Sequence, residues 1–419
     1  MGKALAYARR NPGLAAAIAL GLAARLAILL FYLATHQWQV KTWEPEAIAR
    51  NLLSGQGYVF SYHGTSYKSA YVPVFPLLSA GLHALTGPGF IAYYLFQLSS
   101  AALLIWLVYA CAERWFGRGA ALPAAWLAAF EPGLVLYQSY TVEVTSLSAL
   151  LLLASLYTFH AAKESPAPKR WLASGLLMGL GALSRPDIIA AWIAPLMNLV
   201  LERGRAAAWK AAAWTGLGIF LLVGPWALRN LLIHHRFMPF SSLPGEILWV
   251  GNNPKSTGTL WTQEGRPQIF EAPADLQARI EGGGELANLD DYHEAAVRFI
   301  AADPAAFLMR CARSFVSFWW FPPRFGAGKY YTWLPPSIFS GYKLLYGGLL
   351  LLVLLGAASA LAHPSSRAVA LSMTAAALGV ALIHCPTYVE GRHRVLVMPI
   401  LLIFAARGGV LCWTKARKT

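Results

Sequence analysis

Two carboxylates one residue apart, Glu44 and Glu46, flank Pro45 in a polar stretch that opens at Trp43. A carboxylate held beside a hydroxyl or an amine can act as a general base, and a proline at the first helical position fixes the backbone that carries Glu44. The free amides of a helix start also stabilise an acid, so a capping role competes for either glutamate. The run Glu390, Gly391, Arg392, His393, Arg394 sets two arginines beside an apolar helix. Guanidinium is the side chain best shaped for bidentate phosphate binding, although the same residues would serve as headgroup anchors. Asn252, Asn253 and Pro254 read as turn chemistry or as amides for sugar hydroxyls, and Glu143 as a second acid of a cavity or a solvated loop carboxylate. Arg25 lies inside an apolar stretch, where an unpaired charge costs several kcal/mol, so it is expected to face inward toward a carboxylate as a structural ion pair. The ten histidines offer no metal set, and the adjacent His234 and His235 diverge on a helix; neither a catalytic metal nor a cofactor is expected. Four cysteines, far apart, form no paired motif.

The elements that must position these residues are membrane helices. The 419 residues are 57% hydrophobic and 13% charged, where soluble domains carry about 25% charged residues, and stretches of roughly 20 apolar residues recur along the chain. The first, Leu14 to Leu33, lacks a cleavage region of small residues and is expected to be a retained helix. The net charge of +15 falls mainly in short loops, as the retention of positive charge in the cytoplasm requires, and does not call for nucleic acid. About ten spans are expected: 14–33, 90–111, 120–137, 144–162, two shortened segments 171–183 and 188–201, then 209–228, 342–361, 368–384 and 395–406. Lys3, Arg9 and Arg10, the loops at Arg114, Lys169, Arg203 and Arg367, and the terminal Lys415, Arg417 and Lys418 then lie inside. The polar stretches 36–70 and about 231–303 lie outside, with 71–86 and 304–321 as surface helices. This divides the chain into 1–230, a transmembrane catalytic module including the outer loop 36–70; 231–337, an extracytoplasmic region with an interfacial helix; and 338–419, the last transmembrane helices.

The strings "IARNLLSGQGY", "YVPVFPLLSAGLHALTG", "LSRPD", "GPWALRNLLIHHRFMPF", "WVGNNPKSTGTLW" and "EGRHRVLVMPILL", in this order and spacing, resemble the GT-C fold membrane glycosyltransferases of family 39. These are the enzymes like dolichyl-phosphate-mannose protein mannosyltransferases and bacterial aminoarabinose transferases. The resemblance implies an all-α polytopic GT-C bundle and a polyprenyl-phosphate sugar donor. It makes Glu44 the base, where many relatives carry Asp, with Glu143 as a second acid. It gives Arg392 and Arg394, with Lys68, to the carrier phosphate, and Tyr67, Arg229, Asn252 and Asn253 to substrate contact. Single displacement would invert the anomeric centre, at a site facing away from the cytoplasm in a bacterial plasma membrane. The acceptor is left open among protein, lipid and glycan. The rival is a transporter or flippase of a lipid-linked saccharide, which should line a midplane path with ionisable groups; here the candidate groups fall in the outer loops.

Overall fold

The computed structural model describes residues 11–36, 44–62, 64–87, 89–321 and 336–417; the expectations for Lys3, Arg9, Arg10, Trp43 and Lys418 lie outside them. In chain order the elements are α1 (Pro12–Thr35), α2 (Glu44–Leu53), a hairpin β1 (Phe60–Tyr62) and β2 (Thr65–Tyr67), α3 (Val74–Thr86), α4 (Ile91–Phe116), α5 (Arg118–Phe130), α6 (Pro132–Tyr137), α7 (Thr145–Glu164) and α8 (Pro168–Ala182). A 3₁₀ turn (Pro186–Trp192) leads into α9 (Ile193–His234), followed by α10 (Pro244–Gly251), α11 (Ala274–Gly282), α12 (Glu285–Ala302), α13 (Pro304–Trp319), α14 (Pro336–Ala362), α15 (Pro364–His384), α16 (Gly391–Val395) and α17 (Met398–Ala416). The hairpin pairs Phe60 with Tyr67 and Tyr62 with Thr65, antiparallel.

Seven of the described helical stretches are long and apolar enough to cross a membrane. The expectation of about ten counted three more legs, and all ten expected segments fall on helix. The segment 120–137 is divided into α5 and α6 at Glu131 and Pro132. The segment 171–183 is the short α8. The segments 188–201 and 209–228 run as one element broken at Gly204, whose φ of 80° is open to glycine. The stretches 71–86 and 304–321 contain the helices α3 and α13, and neither is among the seven.

Small residues let these helices approach. On α5, Ala120, Ala121, Ala124, Ala125, Ala128 and Ala129 are buried in the main core with α1, α4 and α17. A Cβ at Gly356 would fall on the Phe404 carbonyl and one at Gly408 on the Leu352 carbonyl, so α14 and α17 cross with their backbones in contact. This is the membrane-helix solution, in which packing, not a hydrophobic drive, holds helices together. Arg25 departs in part from expectation. It is fully buried and lies toward a carboxylate, Glu131, but its hydrogen bonds go to neutral groups: Nε donates to Gln138 at 2.7 Å, and its terminal nitrogens to the carbonyls of Gly21 (2.9 Å), Ala129 (2.7 Å) and Ala128 (3.1 Å). Two of those carbonyls end α5, where the helix dipole favours a cation, so backbone oxygens do the work expected of a carboxylate.

Candidate active site

The two polar segments are knotted together. Glu285, opening α12, accepts from the backbone amides of Lys68 (2.6 Å) and Ser69 (2.8 Å) and from the Ser242 hydroxyl (2.6 Å). Ser69 Oγ donates to Asn230 Oδ1 at 2.9 Å and takes a hydrogen bond from Arg229 at 3.0 Å. Helix α10 is wedged between two backbones: a Cβ at Gly245 would fall on the Leu289 carbonyl of α12, and one at Gly251 on the Thr387 carbonyl before α16. Only glycine permits both approaches. They fix Glu246, in the first turn of α10, opposite the first polar segment, with Trp249 and Val250 further along α10 in the apolar cluster against which Tyr388 packs.

The result is a half-buried cluster of carboxylates and phenols. Tyr71 hydrogen-bonds Glu44, and burial followed by the charges of Glu44 and Glu246 holds its phenol well above the ordinary range. Burial and the Glu44 charge push the Glu246 carboxyl up to about 7. Tyr62 and Tyr292 are raised by burial and next by Glu246. Among the described residues, neither Glu44 nor Glu246 has a cationic partner within 4.0 Å.

Tyr388 is the border to a second, ionic patch, where it hydrogen-bonds Arg392. Arg392 pairs with Glu390 at 2.9 Å and reaches Glu143 Oε1 at 3.6 Å. Arg185 approaches the same oxygen at 3.8 Å and binds Asp187 at 2.7 Å. Asp187 in turn meets His384 Nε2 at 3.2 Å, and His384 stacks on His393 with ring centroids 3.9 Å apart. Thr145 donates to Glu143 at 2.7 Å and accepts from Arg185 at 3.2 Å.

The sequence candidates distribute unevenly over this site. Glu44 lies in the phenol cluster, whereas Glu46, 2% exposed, is committed to His83 (2.8 Å) and Arg50 (3.3 Å) and ties α2 to α3. Glu143 and Arg392 meet in the ionic patch. Arg394 does not join them: two helical positions further on, it donates to the Trp320 carbonyl at 2.6 Å and lies over the rings of Tyr346 (3.9 Å) and Phe321 (4.8 Å). Tyr67 accepts from Asn288 at 2.8 Å, and the side chain of Lys68 is exposed. Arg229 spends itself on Ser69, Asn230 (2.9 Å) and the faces of Trp226 and Tyr58. The amides expected to meet sugar hydroxyls are engaged within the protein. Asn252 donates to the carbonyls of Leu248 (2.9 Å) and Pro386 (2.7 Å), and Asn253 to Trp249 (3.0 Å) and Gln268 (2.8 Å). Glu246, Tyr71, Tyr388 and Arg185 were not singled out as site residues by sequence. The motif around Arg185 was noticed for its resemblance, and Glu246 looks like an ordinary first-turn acid.

This bundle, with its site built between two polar segments at one end, has the GT-C fold of membrane glycosyltransferases. Residues 69–228 match the family described as dolichyl-phosphate-mannose-protein mannosyltransferase. The fold is similar to that of the oligosaccharyltransferase of Archaeoglobus fulgidus, in a crystal structure with zinc and sulfate, at a TM-score of 0.55 and 15% identity over 96% of this chain and 49% of that one. Its apo form gives a TM-score of 0.56, with 13% identity over 96% and 50% of the two chains. This chain thus spans about half the length of the archaeal enzyme. ArnT from Cupriavidus metallidurans, bound to undecaprenyl phosphate, is matched at a TM-score of 0.42, with 14% identity over 89% of this chain and 76% of that one. No curated protein sequence matches the chain.

Proposed function

We propose that the protein is an inverting glycosyltransferase that takes a sugar from a polyprenyl-phosphate carrier and places it on an acceptor at the extracytoplasmic face. The observation that carries this reading is the continuity at Tyr388 of a carboxylate cluster, suited to a base, with an arginine patch, suited to a phosphate. The matched family's description names a dolichyl-phosphate sugar as donor, which agrees with that pairing. Glu44 takes the proton from the acceptor hydroxyl or amine as that atom bonds to the anomeric carbon. The bond from that carbon to the phosphate oxygen breaks with its electrons on the phosphate, and Arg392 and Arg185 face the developing charge. Attack from the side opposite the leaving phosphate inverts the centre. Glu46 and Arg394, committed elsewhere, contribute structure. A transporter would instead string ionisable groups along its helices at mid-depth; here they gather at helix starts and in the turns between helices.

The test is Glu44→Gln in purified protein reconstituted in liposomes, assayed for sugar transfer and for transbilayer movement of the lipid-linked sugar. Transfer is expected to fall by roughly 10²- to 10⁴-fold, the usual contribution of a general base, with carrier binding kept. Undiminished transfer would remove Glu44 from the mechanism. Movement of the lipid without any transfer in the wild type would establish the transporter.

A further inference from the structure

Glu143 stands in a peculiar electrostatic position. The ionic patch holds two guanidiniums, Arg185 and Arg392, and three carboxylates, Asp187, Glu390 and Glu143. Two of these acids have a guanidinium of their own, Asp187 at 2.7 Å from Arg185 and Glu390 at 2.9 Å from Arg392. Glu143 is the supernumerary acid. Both arginines approach its single oxygen Oε1, but only at 3.8 and 3.6 Å, longer than a charge-assisted hydrogen bond of about 2.7–2.9 Å. Its short bond is to the Thr145 hydroxyl, at 2.7 Å. Two cations therefore converge on a point filled by an anion whose short bond is to Thr145, a hydroxyl that Arg185 also reaches at 3.2 Å, rather than to either guanidinium.

We propose that Glu143 is a seat-holder, its Oε1 marking the place of the donor's phosphate. On binding, a phosphate oxygen enters between Arg185 and Arg392 and the carboxylate withdraws toward Thr145. The proposal rests on the donor class given above and assigns Arg185 to the phosphate alongside Arg392. Other groups facing this point include Tyr388, which shares Arg392, His384, which is turned to Asp187, and Tyr137, Tyr93 and His393. The sugar-free carrier phosphate, a monoester, brings more negative charge than a carboxylate and suits the forked geometry of guanidinium equally well, so exchange is favoured whenever the carboxylate gives way. No bond is made or broken in this step. It is an exchange of anions, and it keeps the two arginines apart yet aimed at one point, sparing them mutual repulsion when no phosphate lies between them.

The experiment measures binding of a short-chain polyprenyl phosphate, without sugar, to the full chain in nanodiscs, with thermal unfolding recorded for each variant. Arg185→Gln and Arg392→Gln should each weaken binding at least about tenfold, the loss of one charge-assisted contact. Glu143→Gln should tighten it about tenfold, by freeing both guanidiniums. Two further variants separate a seat from a general effect of charge. Glu143→Asp keeps the charge but shortens the side chain, so a seat-holder predicts a gain where a pure charge effect predicts none. Glu390→Gln removes the same charge from Arg392 alone and should gain less than Glu143→Gln. Binding that is unchanged or weaker in folded Glu143→Gln and Glu143→Asp overturns the proposal, as does an equal gain in Glu390→Gln. If the expected order is found but no sugar is ever transferred, the seat stands and the transferase reading falls. If transfer is robust and the order is absent, the reverse holds.

Discussion

Glu246 sits where a carboxylate is expensive: half-buried, next to the charge of Glu44, with tyrosines for neighbours. Its pKa, raised to about 7 by burial first and Glu44 second, ties stability to pH. Because the folded protein holds the proton more tightly than the unfolded chain, the stabilisation is complete below the ordinary carboxylate range and is lost as pH rises through 7. Glu246→Gln, which cannot ionise, should therefore melt above the wild type at pH 8 by a margin that shrinks toward zero at acid pH. Thermal unfolding across that range measures it, and a margin that does not change with pH would mean that folding leaves the Glu246 carboxyl unperturbed. The arginines of the terminal motif make a different point at this scale. Positions 392 and 394 are about 200° apart around a helix of 3.6 residues per turn, and the structure sends one to Glu143 and the other to an aromatic cage. Arg392→Ala should raise the donor KM, whereas Arg394→Ala should lower the melting temperature, having lost its carbonyl bond and ring contacts. The opposite assignment of the two effects, read from kinetics and unfolding together, would restore Arg394 to the phosphate.

At the scale of elements, α10 carries the site because glycines at both ends let it lie against backbone. Gly251→Ala would force α10 away from Thr387 and disturb the apolar cluster of Trp249 and Val250 on which Tyr388 packs, shifting Glu246 with the helix. Transfer should drop at least tenfold, as misplacement by an ångström can cost more than that, while Gly409→Ala, with open space around it, should not matter; assays on both variants check the contrast. This dependence on helix seating marks the limit of what sequence shows. The apolar segments were legible because about 20 residues must be apolar to cross lipid, and every expected one lies on helix. Glu44 was legible because Pro45 announces a helix start beside it. Arg25 was legible as buried but not as held by carbonyls, since main-chain oxygens have no sequence signature. Glu246 and Arg185 were hidden for another reason: each becomes a site residue only through partners more than 40 positions away, brought together by packing of α10 and of the 3₁₀ turn at Pro186.

Across the whole molecule, the basic stretches near Arg114, Lys169 and Arg203 share one end. Arg114 bonds Glu164, and Lys163 bonds Glu202 at 2.7 Å, joining the ends of α4 and α7 to the break of α9 at Gly204. Glu143 and Thr145 lie at the other end of α7, whose 20 residues span about 30 Å at 1.5 Å each. If the basic end is cytoplasmic, as positive charge in short loops favours, the site faces outward. In a background with the native cysteines replaced, a cysteine at position 169 should resist an impermeant thiol reagent added to intact cells, and one at position 266 should react; reversed labelling would invert the protein.

The knot at Glu285 also bears on how the protein is made. Ser69 and Glu285 are 216 positions apart, so at roughly 5–20 residues per second the first polar segment waits about 10–40 s on the ribosome's schedule before its anchor exists. During that interval Glu44 is already synthesised but lacks Glu246, and its partner Tyr71 lacks Tyr388. On the proposed function, transfer cannot begin while the chain is still being inserted: competence arrives late, with its second half.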